Sequence, residues 1–186
     1  MEWNQIREAK SKVAWSSLVW FNGCVPKSAF FLWLAVKKKL GTQDRLRHIQ
    51  SVASCLFCGL ELETHNHIFF QCPFSKQVWR CVLQKANITA PSLPWDDLIK
   101  WMSSNWQGHS LTTKVKKLYL ATTVYTLWRD RNERFHTNSV CRAEHIASNI
   151  IGQVRMKIST YTMLVDNPSN RLCQVVWSLP DSIFGR

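Results

Sequence analysis

Cys55-Leu56-Phe57-Cys58-Gly59 and, further along, His67-Ile68-Phe69-Phe70-Gln71-Cys72-Pro73 form the stretch whose reading decides the fold. The four candidate donors are spaced C-x2-C-x8-H-x4-C. Two thiols separated by two residues converge from one tight knuckle, and a closely spaced His and Cys complete a tetrahedron with ligands ~2.0 to 2.3 Å from a zinc ion. Gly59 follows at the turn, where a positive φ is expected. Cys55, Cys58, His67 and Cys72 are therefore the expected ligands of one structural Zn2+. Four protein ligands leave no position for a water molecule, so the metal organises the chain and does no Lewis-acid chemistry. His65 is the rival donor, read as exposed or as a group supporting the ligands. Ordinary buried thiols are the weaker alternative, because spacing, local polarity and turn residues all agree with zinc.

Around this stretch the pattern is helical. Residues 51–72 show weak periodicity and hold three of the seven cysteines, so local chemistry replaces apolar packing there. Elsewhere apolar residues recur three or four apart, and the fold class expected is mostly α, a helical domain with the zinc knuckle inserted between helices. Upstream, Pro26 suits the first turn of a helix over 27–40, with Gly41 as its stop, and Thr42 caps a second over 43–50. Downstream, Pro73 opens a helix to about residue 86, with Val78, Trp79, Val82 and Leu83 as its buried stripe. Residues 87–94, with two prolines, read as a linker. Helices are expected over 95–105, 112–135 and 142–161, the last with Ile146, Ile150, Val154 and Ile158 four apart. Residues 1–86 are thus expected as the zinc-bearing domain, 95–165 as a helical region packed on it, and 166–186 as a loosely docked tail.

Composition bounds the rest. The chain has 186 residues, 46% of them apolar and ten of them Trp, ample for a core. The first twelve residues are polar and charged where a secretory segment needs an apolar run, and the longest apolar run, 29–36, is far short of the ~20 residues that span a bilayer. The expectation is a soluble intracellular protein, in nucleus or cytoplasm, with no membrane partner. A reducing compartment and an odd number of cysteines favour metal ligands over disulfides, leaving Cys24, Cys81, Cys141 and Cys173 as core or free thiols.

The order of motifs resembles a known family. Val25-Pro26-Lys27 with Phe31-Leu32-Trp33, then Leu40-Gly41-Thr42-Gln43-Asp44-Arg45, then the Cys55 to Pro73 run and Val78-Trp79, is similar to the reverse-transcriptase zinc-binding domain of plant LINE-type retrotransposons. Tyr125-Thr126-Leu127-Trp128-Arg129-Asp130-Arg131-Asn132 resembles the helical region that often comes after it. The resemblance implies an accessory module downstream of a polymerase, supporting the element's RNA or its target DNA, with the reverse transcriptase polypeptide as a further partner.

The formal charge of +12 favours polyanionic partners. Lys37, Lys38, Lys39, Arg45 and Arg47 form one candidate RNA or DNA surface, and Lys114, Lys116 and Lys117 with Arg129, Arg131 and Arg134 form others. Phosphates would supply sequence-tolerant affinity, and Phe57, Phe69 or Phe70 would stack on unpaired bases. No small-molecule substrate is expected. Nor is the chain read as an enzyme. Asp96-Asp97 follows Pro94-Trp95 at a helix start, where acids complement the dipole and do not form a polymerase metal site. His65-Asn66-His67 spells a nuclease motif only in letters, because a zinc-bound His67 cannot activate water. The competing class is a protein-interaction module whose Trp-rich helices dock on a polymerase, or a decayed element fragment.

Overall fold

The computed structural model describes residues 13–45 and 54–184. The α-helices among these residues are, in chain order, α1 (Ser16–Val19), α2 (Pro26–Val36), α3 (Pro73–Lys85), α4 (Trp95–Asn105), α5 (Leu111–Thr137), α6 (Ala143–Ser159) and α7 (Pro168–Trp177). Among the described residues there are no strands, only isolated bridges pairing Ser54 with Leu62 and Leu164 with Phe184. No helix there is long and apolar enough to cross a membrane.

The centre is α5. Residues 117–124 are buried on every side, which a helix tolerates only when other elements wrap it. α2 and α6 pack against it, and α3 packs on α6. The four-apart stripe of α6 faces inward as the periodicity requires, with Ile146, Ile150, Val154 and Ile158 all buried. Ser110 caps α5 by accepting from the Thr113 N–H, and Asn138 ends it in the left-handed region at φ 54.

Two expectations change, and a third is described only in part. α2 stops at Val36, well before Gly41, because Lys38 takes φ 50 and closes a Schellman turn, with Lys39 N–H donating to Leu34 O and Lys38 N–H to Ala35 O. Only Gln43–Arg45 of the next expected helix is described, as a 3-10 turn; the remainder, with Arg47, lies outside the described residues. The segment after residue 166 is not loosely docked. It forms α7, buries Trp177, Leu179, Ile183 and Phe184, and donates the Trp177 indole N–H to Ala86 O at 2.8 Å. Burying large apolar side chains outweighs the fraying expected of a terminus.

Candidate metal centre

The knuckle is built from two short turns facing each other. In the first, Cys55 N–H donates to Glu61 O at 2.7 Å and Gly59 N–H to Cys55 O at 2.7 Å, closing a loop that returns Cys58 beside Cys55. Gly59 has φ +68, and a Cβ there would meet no atom within 4 Å, so backbone conformation rather than space is what favours glycine. The Phe57 N–H points at Cys55 Sγ from 3.4 Å.

The second turn, His67–Gln71, is a π-helix, and Cys72 N–H donates to His67 O five residues back. This explains the His-x4-Cys spacing. An α-turn would set residues five apart well round the helix from each other, whereas an i→i+5 turn returns them to nearly one face. Thr64 starts the turn, accepting from His67 N–H with its hydroxyl, and Ser75 of α3 donates to the Ile68 carbonyl.

The donor atoms of Cys55, Cys58, His67 and Cys72 all lie within 4.8 Å of one another. Cys55 Sγ to Cys72 Sγ is 4.0 Å and Cys58 Sγ to His67 Nε2 is 3.3 Å. A zinc tetrahedron with ordinary bond lengths has S–S edges of about 3.8 Å and S–N edges of about 3.5 Å, so the quartet fits the ion. Left to themselves the thiols share protons unevenly. Donation to Cys72, reinforced by burial, pushes Cys55 far above the usual thiol range, while the same contact lowers Cys72. A dication removes that asymmetry by taking every cysteine as thiolate.

His65 is not part of this cluster. It is buried with its ring 5.0 Å from Phe69 and 4.9 Å from Trp95, outside the quartet. Burial, then the nearby Lys38 ammonium, pushes its pKa down to about 4. Sequence reasoning missed Glu61, whose Oε2 lies 3.1 Å from His67 Nδ1, at an angle that makes no hydrogen bond. A carboxylate on the far nitrogen of a ligating His orients the ring and raises its basicity.

The candidate phosphate-binding residues divide sharply. Lys37, Lys39, Arg45 and Arg129 are exposed. Lys38 is half-buried, with Nζ 2.6 Å from Asp96 Oδ2. Arg131 is only 5% exposed and bonded to the fully buried Glu63, so no phosphate reaches it. Arg134 bonds to Asp130 and lies over the paired rings of Phe57 and Phe74, at 4.9 and 4.3 Å. Lys117 is buried too, and burial lowers its pKa. Phe69 and Phe70 are both in the core, because the π-turn has packing on two sides, and Phe57 is covered by Arg134. None of the three is a free stacking platform.

Residues 1–79 match the family model described as zinc-binding in reverse transcriptase. That segment is a reverse-transcriptase zinc-binding domain. No curated protein and no solved structure matches the chain. The match contains all four ligands and ends within α3, and such a zinc-binding domain is an accessory to a polymerase, distinct from its catalytic part. The zinc-binding domain leans on the helices downstream of it: Glu63 is held by Arg131, Phe57 by Arg134, and Phe69 and Phe70 stack on Trp95 of α4.

Proposed function

We propose that the chain is a non-catalytic, nucleic-acid-binding accessory module derived from a LINE-type retroelement, acting in nucleus or cytoplasm. Zinc fixes the knuckle, and the knuckle fixes a basic edge that holds single-stranded RNA or DNA by its phosphates. The observation that carries this reading is the position of the exposed cations. Arg45 ends the turn whose Gln43 N–H and Asp44 N–H both donate to Glu63 in the knuckle, while Lys37 and Lys39 flank the Schellman turn that ends α2. With Arg129 they leave at least four cations open to solvent on a chain of charge +12.

Fluorescence anisotropy of the zinc-loaded protein with a labelled single-stranded RNA, repeated across a salt series, tests it. Log affinity should fall by about 0.7 per decade of salt for each phosphate neutralised. Absent or salt-independent binding overturns the reading and favours docking on a polymerase polypeptide. That second reading draws on Met163, Val165, Leu172 and Val175, apolar side chains 65% to 81% exposed on and before α7.

A further inference from the structure

Between α3 and the segment 87–94 lies a cavity of about 510 Å³ that the metal centre does not use. Its volume is that of a small-ligand site. Phe70 and Trp79, both buried, line its depth, and Leu83, Pro91 and Leu93, all half-exposed, form apolar walls. Buried donors are nearly always paired, yet the Trp79 indole N–H has no hydrogen-bond partner among the described residues. That nitrogen is closed to solvent, so the cavity presents the indole ring and not its N–H.

The rim is basic. Lys76 and Arg80 stand one helical turn apart on α3, so they share a face, and Gln84 continues the same row. Both cations are exposed and neither has an ion-pair partner among the described residues. An occupant that fits the cavity and its rim has a flat apolar body and an anion displaced to one side. An aliphatic side chain of a partner protein supplies only the first. A nucleotide supplies both, because each base arrives with its own phosphate.

We propose that this slot receives one unpaired nucleobase, with its phosphate on Lys76 and Arg80 and its polar edge within reach of Gln84 and Ser92. The slot rests on the proposed nucleic-acid binding and gives it a base-binding element, which the buried Phe69 and the covered Phe57 do not provide. It adds stacking and burial to phosphate attraction without demanding a particular sequence.

The test is a 1H–15N titration of the zinc-loaded full chain with adenosine and uridine 5′-monophosphates, following the Trp79 indole resonance, assigned by its loss in Trp79→Phe. A saturable shift of that resonance is expected. Double charge reversal, Lys76→Glu with Arg80→Glu, should weaken it about tenfold or more, and Ala90→Trp, which fills the slot, should abolish it. Should Ala90→Trp fail to fold, the surface charge reversal carries the test alone. The slot is overturned by a resonance that does not move, by a shift that charge reversal leaves intact, or by one produced only by a peptide of alternating Leu and Asp. Salt-dependent RNA binding without the nucleotide shift overturns the slot and leaves the broader reading standing; absence of both overturns the two together.

Discussion

Arg131 of α5 donates to Glu63 of the knuckle through Nη2 at 2.7 Å and Nε at 3.1 Å, both side chains being out of solvent. The same carboxylate accepts from the Gln43 N–H, so one buried charge ties the turn before the knuckle, the knuckle and the central helix together. Removing one partner leaves the other buried and uncompensated. Arg131→Met is therefore expected to destabilise the zinc-loaded protein by about 3–5 kcal/mol in urea unfolding. The double variant Glu63→Gln, Arg131→Met should lose markedly less than the sum of the two single variants. Additive losses would show that the pair does not act as a unit.

Elemental analysis of the purified chain should give one zinc, and Cys58→Ser or Cys72→Ser should abolish stoichiometric binding. His67→Ala and His65→Phe separate the two histidines. The first is expected to lose the metal; the second should keep it, since His65 packs against Phe69 and Trp95 and lies outside the quartet. Zinc retained in His67→Ala and lost in His65→Phe would reverse the ligand assignment.

Glu61→Gln should keep one zinc per chain yet weaken its affinity by about 10- to 100-fold, measured by competition with a chromophoric chelator. Affinity in both proteins should drop as pH falls, because protons compete for the cysteine thiolates and the imidazole. Unchanged affinity in Glu61→Gln would mean that the carboxylate, itself 69% exposed, plays no part in holding His67.

The four ligands were legible because their spacing is a chemical requirement, and α4 and α6 because their apolar periodicity is long and uninterrupted. The π-turn was not. His-x4-Cys is written the same way whether the turn is α or π, and only the convergence of donors selects the wider one. The Glu63–Arg131 pair spans 68 residues, beyond any local rule, so Arg131 read as one more surface cation. The end of α2 misled for a different reason: Gly41 is the better left-handed residue, yet Lys38 takes the strained conformation and sets its ammonium against Asp96.

Charge reversal separates exposed cations from engaged ones. Lys37→Glu with Lys39→Glu, or Arg45→Glu, should weaken single-stranded RNA binding and flatten its salt dependence by roughly 0.7 per lost phosphate contact. Arg134, held by Asp130 and packed over Phe57 and Phe74, should affect binding only through stability. Anisotropy titrations on proteins of matched zinc content decide between the groups. Equal effects from Arg134→Met and Arg45→Glu at matched stability would dissolve the distinction.

Trp177 tests whether the carboxy-terminal segment belongs to the core. It is buried against the rest of the chain, and its indole N–H supplies the partner of Ala86 O, at the end of α3 beside the linker. Trp177→Ala removes both the apolar burial and that hydrogen bond, and is expected to cost about 3–5 kcal/mol. Trp177→Phe keeps most of the burial and loses the donor, so its cost should be nearer 1 to 3 kcal/mol, the penalty for a carbonyl left unpaired. Because α3 carries the second half of the knuckle's support through Ser75, zinc dissociation should also accelerate in Trp177→Ala. Wild-type stability in that variant would mean that α7 adds nothing to the fold, whatever surface it covers.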